Sequence, residues 1–206
     1  GTSIVVVDIS EEALAQGKKK LDRKIDKGIE TRAFRAELGQ AMKDNVLFTS
    51  NYDQLKGCDL VVEAATEDKD LKRRIFTQVA DLVAADAVLC SNSSHLEPDV
   101  IFEGVSDPAR TMVVHYFFPA ERNPIVEIVP GANTSKGLVS DMMGFYEAIG
   151  KVPIQVKSRY GYALDPVFEG MFLASALMVE EGIASCKEVD HVACDVLGYT
   201  VGPFTA

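Results

Sequence analysis

The chain of 206 residues is short of positive charge: 21 Lys and Arg stand against 31 Asp and Glu, a formal net charge of −10. That excess of acid argues against nucleic-acid binding as a main task, while leaving room for a local basic patch. Cysteine is also scarce. Cys58, Cys90, Cys186 and Cys194 show neither C-x-x-C spacing nor the density of a secreted disulfide scaffold, so reduced thiols are expected. No apolar run approaches the roughly 18 residues that a membrane helix needs, and the first residues carry no signal-peptide pattern. These absences read as a soluble cytoplasmic protein, with the mitochondrial matrix open if a transit peptide was removed ahead of Gly1. Histidine is rarer still: His95 and His191 have no metal-ligand spacing to other residues, and no metal site is expected.

What is present is a succession of apolar strands and amphipathic helices. Ser3 to Val7 is rich in β-branched residues, and Ser10 with Glu11 and Glu12 caps the following helix. Leu14, Leu21, Ile25 and Ile29 hold a helical stripe that Phe34, Leu38 and Met42 continue beyond Gly28, as one long helix or a helical hairpin. Residues 45–51, 60–66 and 87–94 read as strands, with Ile75, Phe76, Val79, Leu82 and Val83 marking the face of an intervening helix. Strand runs this apolar are buried on both faces, as in a parallel sheet wrapped by helices.

Residues 111–118, 124–129 and 152–156 continue as strands. The link between the first two is too short for a crossover helix, so they run antiparallel. Beyond Lys157 the pattern is helical. Phe168, Met171, Phe172, Ser175, Ala176 and Val179 make a stripe, widened by Leu173 and Leu177, that asks for burial on more than one side. Ser185-x-x-Glu188 is a capping box for a last helix with Val189, Val192, Ala193, Val196 and Leu197 on its face. A domain boundary is expected near Arg159.

His115 lies at the carboxyl end of its strand, where open α/β sheets bind ligands. Facing residues of an antiparallel pair have indices that add to a constant, and pairing His115 with Glu127 centres the connection on Glu121, inside the turn. A carboxylate on one ring nitrogen would fix the tautomer and leave the other as a general base. On spacing alone, a buried histidine satisfied by a neighbouring acid remains the competing reading.

The run SNSSHL (91–96) is either a polar turn capping the helix at Glu97-Pro98 or a donor site with Ser94 against a ligand oxygen. Cys90 lies in an apolar strand with nothing to lower its pKa, which speaks against a nucleophile. Glu67 and Lys72 follow the strand 60–66. Lys18, Lys19, Lys20, Arg23, Lys24 and Lys27 form a cationic helix side, either solvated or facing a phosphate-rich ligand. Asp8 ends the first strand, where a dinucleotide-binding fold meets ribose hydroxyls, about 20 residues after a G-x-G-x-x-G turn. No such turn lies between Gly1 and Asp8.

Taken in order, VVVDIS, LVVEAATEDKDLK, SNSSHL, HYFF with NPIVEIVPG, GYALD and LGYTVGPF resemble the 3-hydroxyacyl-CoA dehydrogenases over the whole chain. The resemblance implies an α/β fold: a Rossmann-like, mostly parallel sheet with an antiparallel extension, spanning 1–158, followed by part of an all-α dimerisation domain from 159 to 206. It implies NAD as cofactor, contacted by Asp8, Glu67, Lys72 and Ser94. An acyl-CoA substrate would meet Ser94, Asp165 and Phe118, with His115 as general base and Glu127 as the acid that orients it. The activity implied is interconversion of 3-hydroxyacyl-CoA and 3-ketoacyl-CoA in fatty-acid oxidation, by a homodimer acting without nucleic acid or membrane. A carboxylate at Asp8 would repel a 2′-phosphate and so favours NAD over NADP.

Two residues depart from the family pattern. Phe118 stands where H-F-F-N-P has asparagine, and Asp165 where G-F-I-V-N has its final asparagine, so an ionised Asp165 would repel charge developing on a substrate oxygen. They motivate two alternatives, a non-catalytic nucleotide-binding relative and a dehydrogenase of free hydroxy acids. The family's Gly-rich first turn and the rest of its helical domain fall outside the 206 residues. The segment alone is therefore expected to be poorly stable and to bind NAD weakly.

Overall fold

Strand β1 (Ile4–Val7) leads into helix α1 (Glu11–Glu30), started by the Ser10 hydroxyl, which accepts from the Ala13 amide at 3.2 Å. The computed structural model describes residues 2–205. The stripe that continues past Gly28 is a hairpin: α1 ends at Thr31 and α2 (Ala36–Asp44) packs back against it. Gly28 permits the turn because a Cβ there would run into the Phe34 ring. Strand β2 (Val46–Thr49) then pairs in parallel with β1, Ile4 facing Val46.

The next elements are β3 (Leu60–Glu63), α3 (Lys69–Leu82), β4 (Val88–Ser91), the short α4 (Pro98–Ile101), β5 (Thr111–Tyr116), β6 (Ile125–Pro130), α5 (Lys136–Ala148), β7 (Val152–Gln155), α6 (Leu164–Glu180) and α7 (Cys186–Asp195). The five later strands form one sheet in the order β3-β4-β5-β6-β7. β4 and β5 are parallel, β5 and β6 antiparallel, β6 and β7 parallel. The architecture is the anticipated mixed α/β one, with a largely parallel sheet and an antiparallel extension.

The chain divides into two compact units, one up to Val61 with Ile75–Val88, the other Val62–Arg74 with Leu89 onward. In the first, Leu14, Ile25, Leu55, Phe76 and Val79 are buried. In the second, Met112, Val113, Val114, Val126, Ile128 and Val129 make a core that α5 covers with Val139, Met142 and Tyr146. Helix α5 falls between two strands where the sequence reading placed no element. Its buried residues have helical spacing, interrupted by Gly137 and Gly144.

The helical end leaves most of its apolar stripe unburied among the described residues. Of the α6 stripe only Ser175 is buried, and Val167, Leu173 and Phe168 stand in solvent at 70%, 61% and 48% exposure. Helix α7 packs on α6, yet its Val192, and Val196 and Leu197 just past its end, are exposed. The Ser185–Glu188 capping box forms as its spacing predicts.

Candidate active site

The candidate site lies within the second unit, at the carboxyl ends of β3, β4 and β5. His115 faces Glu127 across the β5–β6 ladder, the register its position anticipates. Its Nδ1 lies 2.9 Å from Glu127 Oε2, with both side chains buried. The other carboxylate oxygen, Oε1, accepts the backbone amides of Ala163 and Leu164, each at 3.1 Å. Three donors converge on Glu127, so the His115 proton sits on Nδ1 and Nε2 presents its lone pair. The imidazole is held edge-on by Phe117 and Tyr162, with centroids 5.0 and 5.6 Å away.

Tyr162 carries no sequence mark beyond its place in GYALD, and the structure makes it a hinge of the site. Gly161 and Tyr162 are both left-handed, with φ of 72° and 48°. The backbone turned in this way aims the Ala163 and Leu164 amides at Glu127. For a bulky residue the conformation costs on the order of 1 kcal/mol or more. It is held by complete burial of the ring and by the hydroxyl, which donates to the Leu96 carbonyl at 2.6 Å.

The turn after β4 is organised by Glu67. Its Oε1 accepts the amides of Ser94 and His95, each at 3.2 Å, and the Ser93 hydroxyl. Ser93 is held inside this polar turn, where its hydroxyl also accepts the Leu96 amide at 2.9 Å, but the run does not cap α4, whose N-cap Glu97 makes no side-chain capping bond. Ser94 is half-buried beside it. Burial opposes the charge on Glu67, but the Ser93 hydroxyl, the His95 amide and the Lys72 ammonium outweigh it and hold the carboxyl below its ordinary range.

Lys72 is enclosed by protein. Its Nζ lies 2.8 Å from Glu63 Oε1, 3.2 Å from the Ala65 carbonyl and 3.3 Å from Glu67 Oε2, and the side chain is 1% exposed. Ser91 completes the cluster with a 2.6 Å hydrogen bond to Glu63. Sequence reasoning passed over Glu63. An acid closing an apolar strand, with a lysine nine residues on, was the available sign.

Asp165 sits in the first turn of α6, with Oδ2 3.1 Å from His95 Nε2. Burial pushes its carboxyl up, with Glu127 and Glu169 adding to the effect while His95 and His115 oppose it. Phe118 is 88% exposed, and the Asn123 amide in the following turn is engaged by the Phe118 and Phe117 carbonyls at 2.8 and 3.4 Å. Cys90 is fully buried, which raises its thiol pKa and removes any nucleophilic character.

In the first unit, Asp8 is exposed at the carboxyl end of β1, and one carboxylate oxygen accepts the Ser10 amide at 2.8 Å. Along α1, Lys18, Lys19, Arg23 and Lys27 line a groove together with Asp22, Asp26 and Glu30, so the cationic side is interleaved with acids. Among the described residues no helix is long and apolar enough to cross a membrane, and no cluster of three or more His, Cys, Asp or Glu is placed to hold a metal ion.

Known proteins are similar to this chain in sequence and in fold. Residues 1–159 match the NAD binding domain of 3-hydroxyacyl-CoA dehydrogenase. The chain belongs to the 3-hydroxyacyl-CoA dehydrogenase family. It is 28% identical over 193 residues to a 3-hydroxybutyryl-CoA dehydrogenase of Clostridioides difficile, covering 94% of this chain and 67% of that protein. It is 29% identical over 203 residues to the fatty acid oxidation complex subunit alpha of Colwellia psychrerythraea, covering 98% of this chain and 28% of that one. The chain therefore spans little more than a quarter of the latter's length. In solved structures, the (S)-3-hydroxybutyryl-CoA dehydrogenase of Ralstonia eutropha superposes with a TM-score of 0.92 at 28% identity, over 98% of this chain and 71% of that one.

Proposed function

We propose that the protein is an NAD-dependent 3-hydroxyacyl-CoA dehydrogenase in which His115 is the general base and Glu127 the acid that orients it. The observation that carries this reading is the buried 2.9 Å pairing of His115 Nδ1 with Glu127 Oε2. With Nδ1 fixed as the donor, Nε2 takes the proton of the substrate's C3 hydroxyl, and Glu127 stabilises the imidazolium that results. The half-buried Ser94 offers a hydroxyl to the same oxygen. In the reverse direction His115 returns the proton to the C3 carbonyl.

The residues suit NAD. Asp8 keeps one carboxylate oxygen beyond its Ser10 contact for ribose hydroxyls, while Glu67 and Ser94 stand past the carboxyl ends of β3 and β4, where nucleotides bind α/β sheets. Lys72, enclosed with Glu63, acts on the cofactor through Glu67. Bound NAD would supply the acceptor for the C3 hydride. Lys18, Lys19, Arg23 and Lys27 on α1 are proposed to meet phosphate groups of the CoA moiety.

Residues 1–158 serve in this reading as the dinucleotide-binding domain, and the helices from 159 begin a dimerisation domain. The exposed apolar side chains of α6 and α7 are suited to cover by further helices and a second copy of the protein, working in the cytoplasm. The test is to supply the complete protein with NAD and 3-hydroxybutyryl-CoA and follow NADH. Turnover of the thioester supports the reading. Asp165 and Phe118 favour the two rivals: NAD binding without turnover at any acyl length would mean a non-catalytic relative, and turnover of free 3-hydroxybutyrate alone would mean a hydroxy-acid dehydrogenase.

A further inference from the structure

We propose that His95 is a positioning residue of the active site, pairing with Asp165 as a second histidine–carboxylate couple that cancels the charge of Asp165 beside the reacting oxygen. The inference rests on the dehydrogenase reading above and on four observations within one unit of the fold.

First, His95 Nε2 lies 3.1 Å from Asp165 Oδ2, while Glu169, the next acid along α6, is 4.0 Å away. Second, Asp165 Oδ2 is shielded from solvent and accepts no aligned hydrogen bond among the described residues, and the His95 imidazole stands 3.1 Å from it. Third, His95 is locked in place. Its amide donates to Glu67, its carbonyl accepts from Gly161 at 3.4 Å, and its ring leans on Tyr160 at 5.1 Å. Fourth, Asp165 is electrostatically coupled to His115 and Glu127 themselves.

The titratable groups facing this point are the acids Glu67, Glu127, Asp165 and Glu169 and the histidines His95 and His115. When His115 takes the hydroxyl proton, negative charge grows on the C3 oxygen. An uncovered Asp165 carboxylate would repel it, in a half-buried setting where such interactions are strong. The His95 ring, with Nε2 held 3.1 Å from Oδ2, offsets that repulsion without touching the substrate. The site is then suited to a neutral hydroxyl or ketone oxygen flanked by a compensated acid.

The experiment is a double-mutant cycle on the complete protein, reducing acetoacetyl-CoA with NADH in wild type, His95→Gln, Asp165→Asn and the double variant. His95→Gln is expected to lower kcat about tenfold or more with the KM for NADH unchanged. Asp165→Asn removes the charge that needs cover, so adding His95→Gln to it should change kcat by less than about threefold. Equal losses in both backgrounds, as a merely structural role would give, or no loss in the wild-type background, overturn the proposal.

A readout independent of turnover is the Asp165 carboxyl titration, followed by carbon NMR. In His95→Gln its midpoint should move upward, because the neighbouring imidazole that lowers it is gone. An unmoved midpoint overturns the pairing. Absence of all turnover in the wild type, with that midpoint moving as stated, would instead count against the dehydrogenase reading.

Discussion

Glu127 joins His115 to the start of α6: one carboxylate oxygen meets Nδ1 at 2.9 Å and the other takes the amides of Ala163 and Leu164. The same side chain thus sets the imidazole tautomer and anchors the helix that carries Asp165. Glu127→Gln keeps an acceptor for the amides but offers an NH2 group toward Nδ1, favouring the wrong tautomer. We expect kcat to fall by about 10²-fold or more, with folding largely preserved, by analogy with general-base losses. Steady-state kinetics alongside thermal denaturation separates the two effects.

Lys72 and Glu63 form a buried pair. Removing one partner strands the other's charge, which costs about 3–5 kcal/mol. Lys72→Met should lower stability by that order in chemical denaturation, and adding Glu63→Gln should recover much of it. Full stability in the single variant would show that the pair is not the strut that its burial and contacts indicate.

For Glu67 the folded carboxyl is held below its ordinary value of 4.5, so it contributes stability above that pH and loses it as pH falls through the lowered value. Stability measured downward from neutral pH should show an acid limb that Glu67→Gln flattens. NADH affinity should weaken in that variant too, because the Ser94 and His95 amides then meet a neutral amide oxygen, a weaker acceptor than the carboxylate, and Lys72 loses an anionic partner.

Asp165 has the opposite sign. Its carboxyl is raised above the ordinary 3.8, so folding favours the protonated form and stability falls as pH rises through the raised value. Asp165→Asn should therefore be the more stable protein near neutral pH, an advantage that disappears below about pH 3.8. Denaturation midpoints at the two pH values decide this.

Much of this site is legible in sequence because it depends on local periodicity and one short connection. The β5–β6 turn fixes the His115–Glu127 register, and that pair can be read without coordinates. Tyr162, His95 and Glu63 are not legible in the same way. Tyr162 matters through a left-handed backbone, His95 through a contact 70 positions along the chain, and Glu63 through burial against Lys72 on the next helix. The α1–α2 break was ambiguous because the apolar stripe survives the turn at 31–35, where Gly28 admits Phe34. The broad stripe of α6 says what the helix needs and not what covers it, and only Ser175 of it is buried among the described residues.

The most direct test of the account compares the complete wild-type protein with His115→Gln in acetoacetyl-CoA reduction by NADH. The account predicts a fall in kcat of about 10²- to 10⁴-fold, with NADH binding unchanged. Equal rates in the two proteins would contradict it.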